Sequence, residues 1–160
     1  MAQDYGTSGG RIPRKTIYMR ETAAYIRPTT LAEVATLLGT GTKFGRFDDK
    51  TKKNSLKKAT VRDVDDGNIF VGEWIGSVEG QLLNTTDANA DDFETNFEGK
   101  CLDVILDDEV NKEIKVFKNI TIYGEEDEVD GDKDVLLLAG TKKASTKALI
   151  RDRFSYAAFI

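Results

Sequence analysis

"CLDVILDDEVNKEIKVFKNITIYG", residues 101–124, places two apolar runs on either side of a polar centre. Cys101 to Glu109 reads as one strand and Asp107 to Lys112 as a turn. Glu113 to Gly124 reads as a longer strand, with Ile114, Val116, Ile120 and Ile122 expected on one face. A link this short joins antiparallel neighbours, because a parallel pair needs a crossover of about a dozen residues or more. The stretch therefore sets the chain on an antiparallel course.

Upstream lies "NTTDANADDFETNFEG", residues 84–99, with Asp87, Asp91, Asp92, Glu94 and Glu98 packed between two strands. On helical geometry Phe93 and Phe97 share a face, with Ala90 one turn before. Asp87 or Asn89 is placed to cap the start, and Gly99 to close the end in a left-handed conformation. The carboxylates at 91, 92 and 94 do not converge, so a helix anchored by Phe93 and Phe97 is expected rather than a metal or acid/base site.

Working further outward, "KKATVRDVDDGNIFVGEWIGSVEGQLLN", residues 57–84, reads as a hairpin turning at Asp66-Gly67. Gly72, Gly76 and Gly80 in its second strand point to bulges or close packing. "TTLAEVATLLGTG" predicts a helix over 31–38. Its Thr30/Glu33 pair forms a capping box, Leu31, Val34, Leu37 and Leu38 share a face, and Gly39 follows the C-cap. "TIYMRETAAYIRP" reads as a strand ending at Pro28, with Ile17, Met19, Ala23 and Tyr25 on related faces. Residues 125–134 read as an acidic loop with Asp130-Gly131 at its tip, "VLLLAG" as a buried strand, and "KALIRDRFSYAAFI" as a last strand with Phe154, Tyr156 and Ala158 alternating. Strands do not alternate with crossover helices. The expected class is mainly β, an antiparallel sandwich or barrel with one or two short helices.

A chain of 160 residues, 39% hydrophobic and 32% charged, suits one folded domain. We expect a flexible arm over 1–15 and a single domain over 16–160, with a basic loop around 43–58. Cys101 has no partner for a disulfide and "MAQDYGTSGGRIPRK" has no apolar core, which points to synthesis in a reducing cytosol. The sequons at Asn84 and Asn119 then carry no weight. The longest apolar run is strand-sized, so no membrane anchoring is expected.

The net charge of −5 conceals a separation. Residues 43–62 hold eight Lys or Arg against two acids, and residues 79–134 hold eighteen acids against five lysines. Such a division suits subunits that join head to tail. A nucleic-acid contact through the basic segment is the weaker reading, because the chain as a whole is acidic.

Catalytic motifs fail on inspection. The chain has no histidine, which removes Ser-His and Cys-His pairs and imidazole metal sites. Cys101 reads as a small buried hydrophobe. Ser55-Leu56-Lys57-Lys58 has the Ser-x-x-Lys spacing without its companion motifs. "GTGTKFG", residues 39–45, follows a helix instead of a strand and reads as a helix stop and flexible loop. Setting Gly131 at the sixth position of a calcium loop puts Leu137 where glutamate is required. No cofactor or metal is implied. A carboxylate-only hydrolase would have to draw on Asp103, Asp107 or Glu79, which show no pairing by spacing.

The succession of "SVEGQLLN", the short helix "ADDFETNFEG", the strand "KCLDVILDDE" and the strand "KEIKVFKNITIYG" resembles the major tail tube proteins of tailed bacteriophages, best over residues 58–124. A glycine-rich arm and a charged early hairpin go with the likeness. It is one of layout, without a diagnostic signature. The resemblance implies a virion protein made in the host cytoplasm, self-assembling into rings of six that stack into a tube. Its partners would be copies of itself and other tail proteins, with DNA as passing, non-specific cargo. It further implies inter-subunit contacts through the arm and basic loop: Arg11, Arg14, Lys50, Lys52, Lys53, Lys57 and Lys58. The alternatives are another small β-sandwich virion protein, such as a connector or decoration protein, or a carbohydrate- or protein-binding module.

Overall fold

The computed structural model describes residues 15–48, 55–62, 69–82, 87–129 and 133–160. Antiparallel pairing runs through nine strands: β1 (Lys15–Glu21), β2 (Thr42–Asp48), β3 (Ser55–Arg62), β4 (Ile69–Leu82), β5 (Cys101–Asp108), β6 (Glu113–Thr121), β7 (Tyr123–Val129), β8 (Lys133–Ala144) and β9 (Arg151–Ser155). Their order is β7-β8-β4-β2-β1-β5-β6-β9, and β3 also pairs with β4. Two helices interrupt them, α1 (Leu31–Gly39) and α2 (Asp87–Asn96). The class is the mainly β, antiparallel one expected, and the β5/β6 hairpin and the β3/β4 hairpin are both present.

The sheet folds back on itself at β2, which pairs with β1 over most of its length and with β4 through Phe47↔Leu82 and Asp48↔Gln81. One layer is β1-β5-β6-β9 and the other β7-β8-β4-β3. Between them lie Ile17, Met19, Val104, Leu106, Phe117, Val78, Leu82 and Leu138, all buried. The layers meet closely at glycines, as β4 anticipates. A Cβ on Gly76 would come within 2.3 Å of the Ile150 side chain, and one on Gly140 within 2.3 Å of the Thr121 carbonyl. At Gly72 the expected bulge is found, since the β3/β4 register shifts between Lys58 and Thr60, opposite Val71 and Trp74.

Helix α2 covers the open side of this core. Phe93 and Phe97 are buried and meet Phe44 edge-on, with centroids at 6.2 and 5.2 Å. Each burial contributes about 1.5–3 kcal/mol. Gly99 closes the helix at φ +75°, as its position predicts.

Helix α1 packs on the other side of the first layer, where Val34 and Leu37 meet Ile105, Ile114, Val116, Phe154 and Tyr156. Its start is capped as the sequence indicates: the Glu33 amide donates to Thr30 Oγ1 at 3.2 Å, and Glu33 Oε2 accepts from the Thr29 amide at 3.0 Å. Leu31, expected on the apolar face, is exposed. The helix runs one residue further than predicted, and Gly39 belongs to it; the Thr40 hydroxyl donates to the Leu37 carbonyl at 2.6 Å.

Two expected faces are corrected by bulges. Ile114 and Val116 face α1, whereas Ile120 and Ile122 lie in the core between the layers. The β5/β6 register shifts so that Lys118 and Asn119 stand opposite Asp103 alone, and Asn119 takes φ +52°. The extra residue turns the following side chains to the opposite face. In β2, Phe44 and Phe47 are both buried despite a spacing of three, because the register shifts at Gly45, which has φ +113°.

Several loops become strands. Of the basic loop 43–58, residues 43–48 belong to β2 and 55–58 to β3, so "GTGTKFG" leads directly into a strand. Of the acidic loop 125–134, residues 125–129 and 133–134 form the β7/β8 hairpin. Edge pairing supplies what side-chain alternation does not announce. The last strand is shorter than expected, Arg151–Ser155, with 3₁₀ turns at Lys147–Leu149 and Ala157–Phe159, and Ala158 is exposed. Ala23 and Tyr25 follow β1 instead of extending it. Lys15, assigned to the arm, begins β1, and the rest of the arm lies outside the described residues.

Candidate functional site

Among the described residues β7 and β3 each pair with one neighbour and bound the second layer, and β9 ends the first. In sequence β7 carries Glu125, Glu126, Asp127 and Glu128, while β3 carries Lys57, Lys58 and Arg62. One layer therefore has an acidic edge strand on one side and a basic edge strand on the other. Of the predicted contact residues, Lys57 and Lys58 stand on β3, opposite Ile75 and Trp74. Arg11, Arg14, Lys50, Lys52 and Lys53 lie outside the described residues, as do the rest of the arm before Lys15 and the tips of the β3/β4 and β7/β8 hairpins.

The acids considered for chemistry are separated by the fold. Asp103 and Asp107 lie on the α1 side of β5, alternating with Ile105, at a separation of about 13 Å along the strand. Glu79 alternates with Val78 and Gly80 on β4, so it lies on the outward face of the other layer. These three carboxylates do not converge.

Each has a structural occupation. Asp103 is buried, pairs with Arg20 Nε at 3.0 Å, and accepts the amides of Ala23 at 3.2 Å and Asn119 at 3.1 Å. It holds the left-handed bulge of β6 to the segment leaving β1. Arg20 also donates from Nη1 to Thr40 Oγ1 at 2.8 Å, while its buried Nη2 has no partner. Asp107 accepts from the Tyr156 hydroxyl at 2.9 Å. Burial pushes its carboxyl up, more than that hydrogen bond lowers it. Glu79, half-buried, also has an interaction partner.

A fourth acid, Asp152 of β9, escapes detection in sequence because its neighbours are remote. It accepts from the Tyr25 hydroxyl and from Arg27, whose Nε lies at 3.0 Å and whose Nη2 completes a fork. Burial raises its carboxyl, but the hydrogen bonds from Arg27 and Tyr25 and the Arg27 charge outweigh that and lower it. Lys118 Nζ stands 5.0 Å above the Tyr25 ring, so residues 22–30 are strapped across the first layer.

The opposite face of the first layer carries different chemistry at its β9 end. Leu106 is followed across the strands by Lys115 and Arg153, and Val104 by Phe117 and Arg151. The face thus changes from apolar to basic, and Lys15 of β1 is the third cation, with Arg151 and Arg153, whose charge acts on Lys115. Burial and the charges of Lys15, Arg151 and Arg153 push the Lys115 ammonium down. Burial and Arg153 do the same to Arg151. This cluster is also invisible in sequence, since its members come from three strands.

Cys101 proves exposed at the start of β5, not buried. Among the described residues no group of three or more potential metal-ligating side chains is present, and no helix is long and apolar enough to cross a membrane. Among the described residues the chain is thus an antiparallel mainly β protein whose second layer ends in strands of opposite charge in sequence. Comparison with family models, curated proteins and solved structures finds no match to this chain.

Proposed function

We propose that the chain is a structural, self-assembling virion protein, a subunit of stacked rings that form a phage tail tube conducting DNA. The observation that supports this reading is the β7-β8-β4-β3 layer, with an acidic edge strand at one side and a basic one at the other. Joining β7 of one copy to β3 of the next pairs two edge strands and brings opposite charges together. Such a contact is heterologous, so repetition yields a ring if the rotation closes. Six copies per ring and passage of DNA rest on the layout resemblance. Lys57 and Lys58 are the contact residues on this reading, with Lys50, Lys52 and Lys53 beside them in sequence.

Negative-stain microscopy and light scattering of concentrated protein test the reading. Rings or tubes are expected, and a strict monomer at every concentration and salt would overturn it. Lys57→Glu with Lys58→Glu should stop assembly while circular dichroism stays unchanged. Adding a copy with Glu126→Lys and Glu128→Lys should restore mixed association.

A further inference from the structure

We propose that residues 24–27 act as a movable strap over β6 and β9, closed by one carboxylate, Asp152. This goes beyond the assembly reading and does not depend on it. The segment is fixed at both ends. The Thr22 amide donates to the Cys101 carbonyl at 3.1 Å, and the Ala23 amide to Asp103 Oδ2 at 3.2 Å. At the other end Pro28 is buried, and the Thr29 amide donates to Glu33 Oε2 in the cap of α1.

Between these anchors the hold is slight. Among the described residues Ala24, Tyr25, Ile26 and Arg27 make no backbone–backbone hydrogen bond. Ala24 and Arg27 are exposed and Ile26 is 86% exposed, so of the four it is Tyr25 that is half-buried. Few buried contacts and no ladder bonds mark a segment that opens locally while the sheet beneath it stays intact. The side-chain hydrogen bonds from these four residues to the sheet converge on Asp152, which accepts from the Tyr25 hydroxyl and from the Arg27 fork. Lys118 Nζ stands 5.0 Å from the Tyr25 ring centroid, but it also donates to the Ala148 carbonyl at 2.9 Å and so keeps a partner when the ring leaves.

The groups around Asp152 fix the direction of control. The strap supplies Tyr25 and Arg27, β6 supplies Val116 directly opposite and Lys118 beyond it, and β9 itself supplies the Arg153 amide. Helix α1, packed against the same layer, brings the apolar Val34 and Leu37. Burial raises the Asp152 carboxyl, but the bonds from Arg27 and Tyr25 outweigh it and lower it. The Tyr25 hydroxyl is raised, first by burial and then by Asp152, against the charges of Arg27 and Arg20, so it stays a donor. Titration therefore falls on the carboxylate. The strap is closed while Asp152 is charged and is released as the pH falls through its lowered value. Salt acts in the same direction, because Arg27 is largely exposed.

The test is limited chymotrypsin digestion of the full chain at neutral pH. Cleavage after Tyr25 requires the ring to leave Asp152 and enter the protease, whereas cleavage after Phe117, buried in the core, requires the layers to separate. Wild type should be cut after Tyr25 before Phe117. Asp152→Asn should be cut after Tyr25 about tenfold faster, with the cut after Phe117 far less affected. Arg27→Gln and Tyr25→Phe, which keeps a cleavable aromatic residue, each remove one tie and should speed the same cut by smaller factors; they carry the test if Asp152→Asn does not fold. By NMR the wild-type Tyr25 ring signals should move to free-tyrosine positions below about pH 4 while those of Phe117 stay in place. Unchanged cleavage after Tyr25 in the variants overturns the proposal. So does a cut after Tyr25 that rises only in step with the cut after Phe117, because the segment then opens only with the whole fold.

Discussion

The two faces of the β1-β5-β6-β9 layer treat charge in opposite ways. Under α1 and the strap, Asp103, Asp107 and Asp152 each receive named donors, and those donors come from segments far away in the chain. On the other face, near β9, the charges of Lys15, Arg151 and Arg153 act on Lys115, with Glu113 opposing them. The first arrangement locks the fold, most firmly at Asp103, where removing the carboxylate leaves the Arg20 guanidinium largely buried and unpaired. The second sets like charges opposite one another, which opposes folding slightly.

The largest effect should come from breaking the locked side. Asp103→Ala strands Arg20 and the amides of Ala23 and Asn119, and should cost about 3–5 kcal/mol in denaturant unfolding. A loss under about 1 kcal/mol would show that water replaces the carboxylate easily. Asp152→Ala should cost less, about 1–2 kcal/mol, because Arg27 is largely exposed. The sign of its pH dependence follows from a carboxyl that is lowered in the folded state. Its stabilisation is present above the unfolded value near pH 4 and disappears as the pH falls through the folded value, so wild type and variant should converge in acid.

Asp107 should behave oppositely and more weakly. Its carboxyl is raised by burial, so its contribution is full below the unfolded value and is lost as the pH rises through the folded one. Asp107→Asn keeps an acceptor for Tyr156 and should be neutral to stabilising at pH 7, on the order of 1 kcal/mol at most. That advantage should vanish below about pH 4. A clear loss at pH 7 would mean that the ionised form is needed. The smallest effect is expected at Lys115, where Lys115→Gln should change stability little, because the repulsion it relieves offsets the interactions it loses; a marked loss would show that its interactions outweigh the repulsion from Arg151 and Arg153.

Legibility in the sequence follows the range of the forces involved. The α1 cap, the Phe93/Phe97 face of α2, Gly99 and the two hairpins were readable because each is set by residues within a few positions of one another. Phe44 and Phe47 were not, since three-residue spacing contradicts strand alternation until the Gly45 bulge is known. The acids of β7 concealed a strand for a similar reason: an edge strand is held by its neighbour's backbone and need not alternate. The Asp103–Arg20 pair spans 83 positions and the Tyr25–Asp152 pair 127, distances over which one sequence gives no pairing rule.

Local chemistry in the chain thus determined the mainly β class, both helices and the absence of imidazole chemistry, because caps, turns and residue inventory act without reference to distant segments. Tertiary structure alone decided which face Ile114 and Ile120 take, which acids are locked, and that Lys115, Arg151 and Arg153 share a face. Those outcomes depend on strand register, and a single inserted residue at Asn119 or Gly45 reverses a face without altering the pattern of apolar residues from which register would be read.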